Sequence, residues 1–332
     1  MSKFYVIKRI LYTIFVFAVV VTLCFFIPRI GVEDPCERYY PAQGNMSDAQ
    51  YEVIKELTRE QYGLDGSNWS QFTRYISKLC KGDLGTSYQS GSPKVMDLIF
   101  ERLPWTLVLS VSSMLISVFF GILIGAFCAW KRGGWQDQAL MNASTITTAV
   151  PSFFLALLLA FYFGFTWEIF PAYTDQNMVS DFSWNLKSIA NVAYNAALPV
   201  ISSVIGGIIS YAQSTRNSVI AVSNENFIIT AKAKGVSNNT VIYKHTLRNA
   251  MLPIATSLGM SISGLIGGSV VIEQIFNWNG VGTLFLEANN NNDYPLMMGI
   301  MIFLSAFALA ANLVTDLCYS LLDPRVTLGE NR

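Results

Sequence analysis

The chain has 332 residues, of which 52% are hydrophobic and 13% charged, and its 22 basic and 22 acidic side chains balance. That apolar fraction exceeds what a soluble core of this length uses, so the chain reads as a membrane protein rather than a soluble enzyme or a nucleic-acid binder. One histidine and five cysteines leave little material for a metal site.

Crossing ~30 Å of hydrocarbon takes about 20 apolar residues. Six stretches qualify, at about 10–27, 105–130, 139–165, 197–213, 251–272 and 296–322, which predicts an all-α integral membrane fold. The first follows Lys3, Lys8 and Arg9, as a signal peptide would, but no small-x-small cleavage site follows it. "VTLC", ending at Cys24, lacks the small residue that precedes a lipoprotein cysteine, so the stretch is expected to stay as an anchor.

Residues 28–104 are too long for a plain connection and are expected to form a small external subdomain. Ser47 caps a helix that carries Ile54 and Leu57 on its apolar face, and a second helix runs from Trp69 to Leu79. "KGDLGTSYQSGSP" is turn-rich, and "KVMDLIFERLP" reads as an interfacial amphipathic helix leading into the second span. Cys36 and Cys80 share this segment, where a disulfide or two unpaired thiols are both allowed. Cys24, Cys128 and Cys318 lie in or near spans, as small apolar side chains.

In the second span, "GILIG" (121–125) matches small-xxx-small, which is too common in membrane helices to mean much by itself. The third span places Asn142, Ser144, Thr145, Thr147 and Thr148 where polar groups face protein or water, and Pro151 is expected to kink it. The fourth is the shortest, with Pro199, Gly206 and Gly207. In the fifth, Ser257, Ser261, Gly264 and Gly268 share one helical face, suited to helix packing or to a solute path. Asn142, Thr145, Ser261 and Gly264 are the candidates for lining that path. Asn312 and Asp316 share a face of the sixth span, with a structural role favoured over a proton relay.

With the N-terminus inside, the inner segments hold twelve basic and five acidic residues, and the outer ones ten and 17. This polarity follows the positive-inside bias and puts both ends and the segment 214–250 in the cytoplasm. That segment carries Lys232, Lys234, Lys244, His245 and Arg248. Ser223 or Asn224 caps a helix from Glu225 to Lys234, Gly235 ends it with a left-handed residue, and Ser237 caps a second helix running through Arg248 to Pro253. Ala231 and Ala233 admit close approach, while Phe227, Ile228 and Val236 offer apolar surface. Docking to a partner and contact with lipid headgroups fit equally well. No G-x-x-x-x-G-K-[ST] loop occurs, and His245 stands without a second ligand or a nucleophile, so neither ATP binding, a metal nor catalysis is expected of this chain.

"NFIITAKAKGVSNNTVIYKHTLRNAMLP" (226–253) resembles the cytoplasmic EAA-type loop of ABC importer permeases, in the peptide-importer form D-Y-V-x-x-A-R-A-K-G followed by H-x-L-R-N-A-x-x-P. Asn226, Phe227, Ala231, Ala233, Lys234, Gly235, His245, Leu247, Arg248, Asn249, Ala250 and Pro253 fall in place, with Lys232 where Arg is usual. Residues 62–107, 267–299 and 321–329 agree in order and spacing, except that Asn279 stands where the family has Pro and residues 289–292 are a run of Asn.

The resemblance implies a type I ABC importer permease fold, the first of two permeases in oligopeptide, dipeptide and nickel importers. It implies a core at 105–322 between an N-terminal segment (1–27) with its external subdomain and a cytoplasmic tail (323–332). Glu225 to Gly235 would be the coupling helix seated in a cleft of the cytoplasmic ATPase, with Arg248 and Asn249 bracing the second helix against the first or against the ATPase and His245 at the interface. Implied partners are a second permease, two ATPase subunits that hold ATP and Mg, an external substrate-binding protein and membrane lipid. The implied location is a bacterial or archaeal plasma membrane. Peptides fit best as cargo, with oligosaccharides or nickel chelates as alternatives. The rival class is a self-contained secondary transporter or channel using Asp316 and the polar third span.

Overall fold

The computed structural model of the chain describes residues 3–30, 39–40, 44, 46–89, 91–175, 177–237, 240–265, 267 and 270–322. The helices are α1 (Lys3–Phe26), α2 (Asp48–Gln61), α3 (Asn68–Leu79), α4 (Val95–Trp130), α5 (Trp135–Ala149), α6 (Ser152–Leu159) and α7 (Asn177–Ser180). They continue as α8 (Leu186–Ser223), α9 (Asn226–Ala233), α10 (Leu247–Ser263), α11 (Val270–Ile275), α12 (Val281–Asn290) and α13 (Tyr294–Leu322). Among the described residues the sole β feature is a bridge between Thr86 and Lys94.

Four helices are long and apolar enough to cross a membrane: Val6–Arg29, Val95–Trp130, Leu186–Ser223 and Tyr294–Leu317. A fifth crossing results if Trp135–Ala149 and Ser152–Thr166, bent by 96° at their junction, act as one. Large apolar side chains on these helices, such as Leu11, Phe15, Leu115, Phe119 and Phe161, are exposed, a surface that suits lipid rather than water. The chain is a multi-pass membrane protein.

The helices differ from the sequence expectation at four prolines or glycines. Pro104 does not separate an interfacial helix from a span, because α4 runs unbroken through it for 36 residues. Pro199 is likewise absorbed within the 38 residues of α8. Membrane helices carry such prolines when neighbours re-satisfy the freed carbonyl. Pro151 does more than kink: it forces Val150 to φ −95°, ψ 121°, as a residue before proline is forced, so α5 ends and α6 begins anew. The fifth expected span is a 17-residue helix, α10, stopped at Gly264 and followed after a break by α11.

The chain divides into two compact units, Met1–Pro104 with Thr283–Leu313, and Trp105–Gly282 with Val314–Arg332. In the first, Ser47 caps α2 in a reciprocal box with Gln50, as S-x-x-Q predicts, and Ser67 caps α3. Leu64 and Tyr88 are buried among Tyr39, Tyr40, Tyr62 and Tyr294. Asp293, fully buried, accepts hydrogen bonds from the Ser87 hydroxyl and from the Tyr88 and Leu296 amides at 3.2 Å each. The Asn run ends α12, and Asn292 takes φ 56°, a left-handed conformation asparagine tolerates. Cys80 is exposed at the end of α3, while Cys36 lies outside the described residues.

In the second unit α8 is the spine, packing against α5, α6, α9, α10 and α11. Gly121 and Gly125 of α4 lie directly on Tyr211, Ala212 and Thr215 of α8, and Gly207 of α8 lies on Ser117 of α4. The "GILIG" pair is therefore a specific contact here, with no room for a Cβ. Among the described residues three apolar clusters fill the rest, one around Trp105, Leu109, Met178, Ala196 and Trp278, a second around Ala156, Ala160, Leu198, Ile272 and Phe276, and a third of Cys128, Leu140 and Ala212.

A Gly125→Val chain should therefore be destabilised by about 1–3 kcal/mol, through overpacking, and melt at lower temperature in detergent than the wild type. For Asp293, burial pushes the carboxyl above its ordinary range, against hydrogen bonds from Ser87, Leu296 and Tyr88 that pull it down. The native state then holds this proton more tightly than the unfolded chain. Its contribution is complete below about pH 4, the unfolded range, and is lost as pH rises through the folded value. The melting temperature of wild type should therefore fall relative to Asp293→Asn as pH is raised from 4, whereas parallel profiles would contradict this assignment.

Candidate functional site

The polar segment after α8 is built from two short helical pieces and a glycine turn. Asn224 ends α8 and the Ser223 hydroxyl bonds back to Val219, so neither caps the next helix as the sequence suggested. The Glu225 carbonyl instead accepts from amides within the first turn of α9, those of Ile228 at 3.0 Å and Ile229 at 3.3 Å. At the other end Gly235 adopts φ 76°, and the Val236 amide reaches the Ala231 carbonyl at 3.3 Å, the six-to-one bond of a left-handed helix stop. A side chain at Gly235 would meet open space but would be held in a conformation that L-residues avoid.

This helix is fastened on one side. Ile228 is buried, and α9 packs on α8 and on the π-helical turn Val241–Thr246 that precedes α10. Thr246, buried, donates to the Val241 carbonyl at 3.0 Å. The opposite side is open: Glu225, Asn226, Phe227, Ile229, Ala233, Lys234 and Gly235 are exposed, Ala231 and His245 half-buried. Phe227, Ala231 and Lys234 follow helical spacing and share a face. Arg248 and Asn249 are exposed on the first turn of α10, where the Asn249 amide donates to the His245 carbonyl in the preceding π-helical turn at 2.6 Å. The Lys232 side chain lies outside the described residues.

A pair that sequence reading did not join anchors the end of α8. Arg216, two turns before the end of α8, makes a two-pronged contact with Asp137 of α5, Nε to Oδ1 at 2.8 Å and Nη2 to Oδ2 at 2.9 Å. The Gly133 amide adds a third bond to the same carboxylate at 2.9 Å. Asp137 sits in the first turn of its helix, where the helix dipole favours a negative charge. The two residues are 79 apart, and no local pattern signals their meeting.

Farther along the second unit, α4, α8 and α10 enclose an open cavity of about 320 Å³. Ser261 and Gly264 line it, whereas Asn142 and Thr145 do not; both of these are exposed on α5, and the Thr145 hydroxyl is bonded to the Met141 carbonyl. Beside it the loop after α11 is tied down by a buried carboxylate. Glu273 accepts from the Thr106 hydroxyl at 2.9 Å and from the Gly282 amide at 2.7 Å, and Thr106 in turn accepts from the Val281 amide at 2.8 Å. Trp278 donates its indole N–H to the Trp105 carbonyl at 2.9 Å. Gly280 has no space for a side chain because the Glu273 carboxylate occupies it. Sequence reading passed over Glu273, although an acid inside "VVIEQIF" is the signal that would have marked it. Among the described residues no group of metal-ligating side chains is found.

Against known proteins, a family model described as "Binding-protein-dependent transport system inner membrane component" matches residues 121–328. The chain is 33% identical over 324 residues to a "Probable peptide ABC transporter permease protein y4tP" of Sinorhizobium fredii, covering 97% of this chain and 98% of that one. It is 30% identical over 322 residues to the "Oligopeptide transport system permease protein AppB" of Bacillus subtilis, and 34% over 322 residues to the "Glutathione transport system permease protein GsiC" of Escherichia coli. Both of these also cover 97% of this chain and 98% of the relative.

The Asp137–Arg216 contact yields a stability test. Asp137→Ala strips the half-buried Arg216 guanidinium of its two-pronged partner and, allowing for that partial exposure, should cost about 2 kcal/mol. Arg216→Lys keeps the charge but not the fork, and should lose less. Thermal unfolding of the two purified variants checks the order.

Proposed function

This chain belongs to the family of binding-protein-dependent transport system inner membrane components, and on that premise we propose that it is a permease subunit of an ATP-driven importer of peptides. The carrying observation is the end-to-end similarity to peptide, oligopeptide and glutathione permeases. In this reading it forms half of a translocation path with a second, similar permease. An external binding protein delivers the cargo, and two cytoplasmic ATPase subunits supply the energy. The chain performs no chemistry itself; ATP and Mg belong to the partners.

Six crossings, with both ends in the cytoplasm, agree with the charge asymmetry. The bent pair α5–α6 then serves as the third crossing, and α10 with α11 as the fifth. Residues 28–104 lie outside as a small subdomain. The segment from Glu225 to Gly235 faces the ATPase. A helix held by buried Ile228, and presenting exposed Phe227 and Lys234 with half-buried Ala231 between these faces, suits insertion into a cleft. Because α9 follows directly on α8, and α8 is braced to α5 through Arg216, a push on α9 is delivered to the spine of the unit. ATP binding draws the two coupling helices together and opens the path outward; hydrolysis resets it. Ser261 and Gly264 lie on that path.

Gly235→Val forces a β-branched residue into φ 76° and should misplace the helix stop. Uptake of a radiolabelled peptide by the reconstituted complex should fall by about tenfold or more, while the chain still inserts and the ATPase subunits still hydrolyse ATP. Normal uptake by this variant would refute the docking role of the segment. Uptake that persists without ATPase subunits and follows an ion gradient would instead establish a secondary transporter.

A further inference from the structure

The cavity between α4, α8 and α10 carries information about what passes through it, and this inference rests on the peptide-permease reading above. Among the described residues its polar lining consists of hydroxyls alone: Ser110, Ser113, Ser117, Ser203, Tyr211 and Ser261. No charged side chain among them lines it, and the remaining described wall is made of Leu109, Met114, Leu265, Ile272 and two glycines. Ser110, Ser113 and Ser117 follow +3, +4 spacing along one face of α4.

These hydroxyls are not equivalent. Ser203 donates to the Pro199 carbonyl at 3.0 Å, and Ser261 donates to the Ser257 carbonyl at 2.9 Å while pairing with the Tyr211 hydroxyl at 2.7 Å. Ser117 is wedged against Gly207. Ser113 is 9% exposed, and its Oγ has no hydrogen-bond partner among the described residues. A buried hydroxyl left in that state is unfavourable, and a ligand that bonds to it relieves the penalty.

The chemistry of the wall narrows the ligand. An ionised group entering here would shed water and meet no counter-charge. A hydroxyl both donates and accepts, and so matches an amide, which offers one N–H and one C=O. We propose that this wall contacts the uncharged amide backbone of the transported peptide, with the Ser113 hydroxyl accepting a hydrogen bond from the central amide N–H. Charge on the cargo's side chains is then not read at this position, and specificity between peptides is left to groups elsewhere.

The test uses the complete complex of both permeases, the ATPase subunits and the binding protein in proteoliposomes. Its probes are trialanine, alanyl-lysyl-alanine and trialanine N-methylated at its central amide. For each peptide the ratio of variant to wild-type uptake is taken, which cancels selection by the binding protein. Ser113→Ala should lower uptake of trialanine and of the lysine peptide equally, by about five- to tenfold, the worth of one hydrogen bond. Ser113→Thr should restore most of it. With the N-methylated peptide the Ala variant should lose little further, since the bond is already absent. Three outcomes overturn the proposal: unchanged trialanine uptake by Ser113→Ala, a loss confined to the lysine peptide, or failure of that variant to co-purify with the second permease, which would make Ser113 a subunit contact. If the wild-type complex imports none of the three peptides, the peptide reading itself fails, and the proposal with it.

Discussion

Close approach of backbones is the constraint on which the larger unit depends. Within hydrocarbon there is no hydrophobic force between helices, so they hold together by packing and by internal satisfaction of polar groups. Here α8 receives α4 at Gly121 and Gly125, and gives way to it at Gly207. The same helix carries Arg216 to Asp137, the Tyr211 hydroxyl to Ser261, and its last turn to α9. Were α4 held farther away by larger side chains, the face of α4 that bears the serines would no longer reach the cavity.

Much of this was legible in the sequence because it is local. The cap at Ser47 needs only the residues beside it, and the stop at Gly235 needs one residue with freedom at positive φ; both appear as read. The segment that α9 belongs to was recognisable because its chemistry is unusual for the chain around it. Prolines were legible as events but not as outcomes. Pro104 and Pro199 sit inside long helices, while Pro151 ends one, and the difference lies in what surrounds each and not in the residue itself.

What the sequence concealed is pairing at a distance. Asp137 and Arg216 each looked like one more charge on the inner side, and Thr106 like an ordinary member of an apolar span. Their meaning comes from partners 79 and 167 positions away. The candidate path residues show the same limit: polarity and size selected four positions, of which Ser261 and Gly264 face the cavity and Asn142 and Thr145 do not. Polarity says that a side chain needs a partner, but a threonine can find one in its own helix, as Thr145 does at the Met141 carbonyl.

The Glu273 knot has a bearing on how the chain comes to exist. During synthesis Thr106 is made long before Glu273, and the Gly282 amide nine residues after it. A ribosome-bound chain that has emerged as far as Ile275 carries a carboxylate in an apolar surround with none of its loop donors yet available. Completion of the loop supplies one bond, and return of the newly made segment to the N-terminal part of α4 supplies the next. A single buried acid is thus satisfied in full only once segments born far apart in time have found each other.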